Sequence, residues 1–409
     1  MGIISQTIRA VGGFAIAAVM AGPAAAQTTT GVTDDEILIG IFAPLSGALT
    51  AYGTDPTNAA RAWFNDVNEK GGIHGRQIRY IVEDDKCTPA EAGAIARKFI
   101  NVDRVFAMLG GSCSGATVSI QELVNQEQIP HFMLNASGDA GVYPPTKYQF
   151  GAAPGTQRAT LAAVMSYAID DLGAKTVGVL GPEDEMGTAA LRMIHAVAEK
   201  RGVEVVANEI VPNNATDVTV PVLNVQSANP DVIILTTYAP PTTLVMKKIV
   251  EFGLVDKPII SAIQGVSSTD AFLASLDGDT TGLKNFYYAH PLVGETMDDP
   301  GLKPFKDLMV KHFPDRPNPG IMGAYGFPHA MAIVHALEAA GPGLTREKFM
   351  EAIEKTNFES GVMAAPTVFN PERRDSLRGQ VIVKFDGETV THAGGPYLWD
   401  EIVDPSYFD

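Results

Sequence analysis

The chain has 409 residues and a mass of 43.4 kDa, room for two or three domains at ~100–200 residues each. With 45% hydrophobic, 19% charged and 8% aromatic residues, it is too apolar for a disordered chain. A formal net charge of −17, from 30 Lys+Arg against 47 Asp+Glu, repels phosphate backbones and anionic membranes. Two cysteines exclude a disulfide scaffold or a cysteine-rich zinc module.

The first 27 residues read MGIISQTIRAVGGFAIAAVMAGPAAAQ. Arg9 is a positive start, Val11 to Met20 a short apolar run, and Ala24-Ala25-Ala26 a small-residue cleavage site. This is the pattern of a secretory signal peptide over residues 1–26, removed after Ala26. Its loss deletes Arg9 and leaves the mature chain one unit more negative. The run is too short for a membrane anchor of ~20 residues. Nothing later in the sequence is long and apolar enough to span a bilayer. The mature chain is therefore expected in an exported, oxidising space, the periplasm.

Ile37 to Ala43 is an apolar strand broken at Pro44, followed by a helix over Asp55 to Asn68 that Gly71-Gly72 stops. Gln77 to Glu83 alternates as a strand, and Thr88-Pro89-Ala90-Glu91 opens a helix to Asn101. Further strands are expected at Val105–Leu109, His131–Leu134, Thr176–Leu180, Glu204–Ile210, Asp231–Thr236 and Pro258–Ala262. Helices are expected at Val118–Gln126, Arg158–Leu172, Thr188–Arg201, Val218–Ser227, Thr242–Phe252 and Ala330–Ala339. Such alternation predicts an α/β fold with parallel sheets and right-handed crossovers, in two lobes. Small polar residues cluster after the strands, at Pro44–Gly47, Gly110–Thr117, Asn135–Gly138 and Tyr238–Pro241. In parallel sheets those ends face a ligand crevice, although ordinary caps and turns account for some of them.

At these residues the chain resembles the type I periplasmic solute-binding proteins of ABC importers, in the leucine/isoleucine/valine-binding branch. The resemblance rests on Ile39 to Gly47 with Ala51-Tyr52-Gly53, on Asn68 to Arg76, and on Glu83-Asp84-Asp85 followed by Cys87, Pro89 and Ala90. It implies two Rossmann-like lobes joined by a three-crossover hinge. Lobe one is then 34–153 plus 286–366, and lobe two 154–285 plus 367–409. It also implies a Cys87–Cys113 disulfide, to which an exported location and an even cysteine count are suited. Two free thiols, or a Gly-x-Cys-x-Gly nucleophile elbow with Cys113 as an exported hydrolase's nucleophile, are the other readings.

Carried over position by position, the family's carboxylate cradle falls on Ser114, Asn135 and Ser137. Tyr52 flanks it, Tyr238 closes over it from lobe two, and Tyr325 lends an aromatic to the rim. Two positions depart from the amino-acid pattern. Met186 stands where the family has a tyrosine, leaving an apolar, adaptable wall. Gln264 stands where amino-acid binders carry a glutamate opposite the ligand's ammonium, and burying an ammonium without a counter-charge is costly. The expected ligand is an aromatic or aliphatic carboxylate, ahead of an amino acid whose ammonium Asp184 or Glu185 would meet. No ATP-binding loop or metal cluster is visible, so neither cofactor, metal nor catalysis is expected. The resemblance implies capture of a small molecule by a monomer and its delivery to an inner-membrane ABC permease. A soluble sensor that reports to a membrane receptor is the alternative.

Overall fold

The computed structural model describes Gly2 and residues 29–47, 49–151, 157–266, 269–294, 298–364, 366–376, 379–385 and 390–398. The signal-peptide reading of 1–26 lies outside this set, apart from Gly2. The first sheet is built from β1 (Glu36–Ala43), α1 (Thr50–Glu69), β2 (Gln77–Asp84), α2 (Pro89–Lys98), β3 (Ala107–Gly110), α3 (Ser114–Gln126), β4 (His131–Met133) and β5 (Gln149–Gly151). All five strands run parallel in the order β2-β1-β3-β4-β5. Ile37, Ile39, Ile41, Phe42 and Ala43 are all buried, because helices cover both faces of a parallel sheet.

The second sheet follows with α4 (Gln157–Ser166), β6 (Thr176–Gly181), α5 (Glu185–Arg201), β7 (Glu204–Ile210), α6 (Thr219–Ala228), β8 (Val232–Leu235), α7 (Ala239–Glu251), β9 (Ile259–Ser261), α8 (Thr269–Ser275) and β10 (Phe286–His290). The chain then returns to the first lobe with α9 (Lys303–His312), α10 (Gly320–Ala324), α11 (Gly326–Ala340), α12 (Arg346–Ile353) and the short antiparallel pair β11 (Asn357–Phe358) and β12 (Thr367–Val368). It crosses a third time into the hairpin β13 (Gly379–Phe385) and β14 (Val390–Leu398). The second sheet has the order β14-β13-β10-β9-β8-β6-β7.

Three details differ from the sequence reading. The second sheet is mixed, since β13 runs antiparallel to β10 and β14 antiparallel to β13. β10 pairs with β9, so residues 286–290 sit in lobe two, not lobe one. Residues 367–376 stay with lobe one, where Phe369 packs on Phe132 and Phe150 and Asp375 bridges to Gly151. Sheet membership follows hydrogen bonding, which local periodicity does not encode.

Caps fix the helices as the residue types dictate. Thr88 accepts the Glu91 N–H ahead of α2, with Pro89 at its first position. Asp184 accepts the Gly187 N–H ahead of α5, and Gly202 ends that helix in the left-handed region. The two chain segments of lobe one meet where α11 packs on α1. A methyl group at Gly326 would fall 1.9 Å from the Pro56 carbonyl oxygen, so only glycine permits that approach.

Cys87 and Cys113 form a disulfide with a Cα–Cα distance of 5.5 Å across 26 residues. It ties the loop after β2 to the start of α3 and removes Cys113 as a nucleophile. Cys113→Ser is expected to cost about 3 kcal/mol, the loop-closure entropy of such a span. Thermal melting with hydrogen exchange in β3 and α3 checks this, and an unchanged melting temperature would refute it.

Candidate functional site

The polar residues after the strands converge between the sheets, at the carboxyl edges of both. Ser114 opens α3 behind β3, and its Oγ accepts the Gly138 N–H at 2.9 Å. Asn135 and Ser137 follow β4, and Asn135 Nδ2 donates to the Tyr52 carbonyl at 3.1 Å. From lobe two come Met186 in the first turn of α5, Tyr238 before α7, and Gln264 after β9. Ser114, Asn135, Ser137, Met186 and Gln264 are all buried, while Tyr238 is partly buried.

The lobes are closed on one another through hydrogen bonds. Ser137 Oγ lies 3.0 Å from two carboxamide nitrogens, Nε2 of Gln157 and Nε2 of Gln264. Tyr52 reaches from α1 into lobe two. Its hydroxyl donates to the Gln264 carbonyl at 2.9 Å and accepts the Ala239 N–H at 3.1 Å. Burial pushes that phenol up to about 12, the Ala239 N–H opposing. Its ring meets Tyr238 edge-on at 5.7 Å, and the Tyr238 hydroxyl donates to Asp184 Oδ2 at 3.1 Å. Nearer the crossovers, Arg158 Nε of α4 donates to Asp139 Oδ2 of lobe one at 3.2 Å. Asp139 is nonetheless raised, by burial.

Tyr325 is fully buried at the junction of α10 and α11, in the apolar cluster that also holds Tyr52, Tyr288 and Ile263. Its hydroxyl has no hydrogen-bond partner among the described residues. The same holds for Asn135 Oδ1, Gln157 Oε1, Gln264 Oε1 and Glu185 Oε2, four acceptor oxygens at the lobe boundary. Buried groups of this kind are normally satisfied, so these oxygens mark the polar lining of the crevice.

Sequence reasoning missed Gln157, whose only signal is its place directly after the first crossing. It also missed the role of Tyr52 as a cross-lobe contact. Asp66, Glu69 and His312 bring ligand atoms within 4.8 Å of one another outside the crevice, but Lys70 and Lys311 already neutralise the two acids. A surface cavity of about 350 Å³ between α7 and α8 shares Ala239 with the crevice network.

A model of the periplasmic binding protein family matches residues 36–384. The chain belongs to that family. It is a binding protein of the leucine/isoleucine/valine-binding type and not an enzyme, with the two-lobed fold described above. A relative from Brucella abortus, "Leu/Ile/Val-binding protein homolog 7", is 24% identical over 396 residues, covering 92% of this chain and 94% of that one. Among solved structures, the fatty acid ABC transporter substrate-binding protein from Thermomonospora curvata superposes with a TM-score of 0.79 at 22% identity, covering 93% and 96% of the two chains. A solute-binding protein from R. palustris in complex with 4-hydroxybenzoate superposes at 0.73 and 21% identity, covering 87% and 95%. The family is periplasmic, and no helix among the described residues is long and apolar enough to cross a membrane.

Proposed function

We propose that this chain is the solute-binding component of an ABC importer. On this reading the ligand is a small molecule whose carboxylate is held on lobe one by Ser114, Asn135 and Ser137. Met186, Tyr238 and Gln264 close over it from lobe two, with Tyr52 and Tyr325 beside them. The observation that carries this is the convergence of two uncharged lobe-two amides, Gln157 and Gln264, on the lobe-one hydroxyl of Ser137. Hydroxyls and amides hold a carboxylate without a formal cation. Closure is then a population shift favoured by contacts made only when both lobes touch the ligand. Residues 1–26 direct export, and the closed monomer delivers its ligand to an inner-membrane permease.

Gln264 supports a ligand that needs no counter-charge at that position, such as an aromatic or aliphatic carboxylate. The proteins similar to this chain include a Leu/Ile/Val-binding protein homologue, a fatty acid transporter's substrate-binding protein and a solute-binding protein in complex with 4-hydroxybenzoate. A thermal-shift panel of free amino acids against aromatic and short aliphatic carboxylates tests the class. A ligand at 100 times its Kd stabilises by about 2.7 kcal/mol. Stabilisation by amino acids alone would overturn the Gln264 reading. Ser114→Ala is expected to abolish the shift, and a variant that binds like the parent would remove Ser114 from the cradle.

A further inference from the structure

The cradle has a neighbour that the fold brings to it from the other lobe. Glu185 opens α5 on lobe two, and its carboxylate lies against Gly138 and near Asp139 of lobe one. It presses so closely on the Ser114–Gly138 contact that a methyl group at Gly138 would lie 1.8 Å from Glu185 Oε2 and 2.8 Å from Ser114 Cβ. That Oε2 is buried and accepts no hydrogen bond among the described residues.

The charges around Glu185 are mostly of its own sign. Asp139 faces it from lobe one, and Asp184 precedes it on lobe two. Arg158 of α4 is committed to Asp139, and Tyr238, Asn213 and the Gly187 N–H to Asp184. Arg192, two turns along α5 and exposed, is the cation that faces Glu185, and its influence is the smallest. A carboxylate in that position is easy to hold in water and hard to bury.

We propose that Glu185 is the charge gate of this binding protein: the lobes close when its carboxylate is neutralised, by a proton or by a cationic group on the ligand. This rests on the carboxylate-cradle reading and adds what the ligand must bring. A plain carboxylate places another negative charge beside Glu185 and Asp139, so it is captured together with a proton. A ligand that carries an ammonium beside its carboxylate brings its own counter-charge, and Glu185 then serves in the place that Gln264 leaves neutral. Burial, followed by the Asp139 charge, raises the Glu185 carboxyl above its ordinary value, in line with the geometry. The direction follows from linkage. A group with a higher pKa in the closed form than in the open form favours closure below that pKa and opposes it as pH rises through it.

The test needs no ligand. Small-angle scattering of the ligand-free protein between about pH 8 and pH 5.5 reads the balance of open and closed forms. The closed-to-open ratio of the parent is expected to rise several-fold on acidification, each unit of pKa difference allowing up to a tenfold change. Glu185→Gln keeps the size and shape of the side chain and removes the charge. It is expected to favour the closed form at both ends of the range and to lose the pH response. Glu185→Ala is expected to lose the response as well, which guards against an effect peculiar to glutamine. A parent without a pH response, or variants that keep it, would overturn the gate. The cradle would be untouched by that outcome, since it stands or falls with Ser114→Ala in the ligand panel.

Discussion

Replacing Ser137 with alanine is expected to weaken ligand capture by roughly a thousandfold. Ser137 Oγ is the shared partner of Gln157 Nε2 and Gln264 Nε2, and all three side chains are at most 3% exposed. In the open form each amide turns to water. In the closed form of the variant both lose their partner, at about 2 kcal/mol for each unpaired buried group. The sum of about 4 kcal/mol falls on closure, and therefore on Kd. Calorimetric titration with the strongest binder from the ligand panel measures it. Ser137→Thr keeps the hydroxyl and is expected to bind near the parent's affinity. A loss under tenfold for the alanine variant would show that the amides find other partners, and would remove Ser137 from the centre of the site.

Acid is expected to destabilise each lobe through one buried histidine. His131 in β4 lies between two acceptors, the Gly110 carbonyl and Gln149 Oε1, and as a neutral ring donates its one N–H to one of them. His290 ends β10. Burial pushes both imidazoles down to about 4 from the ordinary 6.5. Their folded pKa values lie below the unfolded ones, so the unfolded chain takes up protons first. The stability they permit is intact above about pH 6.5 and is lost as pH falls toward 4, at about 3 kcal/mol for each histidine. Asp85 acts in the opposite sense. Burial raises its carboxyl to about 6, so the folded form gains protons there as pH falls and recovers part of the loss. Urea unfolding from pH 7.5 to 4 measures the net slope. His131→Gln is expected to flatten it by about one proton, and an unchanged slope would show that His131 is not buried neutral.

Most of lobe one's architecture was legible because its elements are long and their patterns local. Ile37–Ala43 is a continuous apolar run, and Thr88 with Pro89 spells a helix start in adjacent residues. The three-residue β5 carries too little pattern to be seen, and β13 and β14 join a sheet whose other strands lie about 90 residues or more upstream. The lobe boundary near 286 is not legible for the same reason, since nothing near Phe286 says that its backbone will pair with β9.

The sequence by itself determined two α/β lobes and a set of hydroxyl and amide groups placed after the strands. Each follows from composition or from spacing within a few residues. Only the tertiary structure decided that Tyr52 spans 212 positions to meet Gln264, that Gln157 shares Ser137 with Gln264, and that Glu185 presses on Gly138. Those contacts are made across the closed crevice by residues distant in the chain. Their energies depend on desolvation between two surfaces, a quantity that no local pattern records.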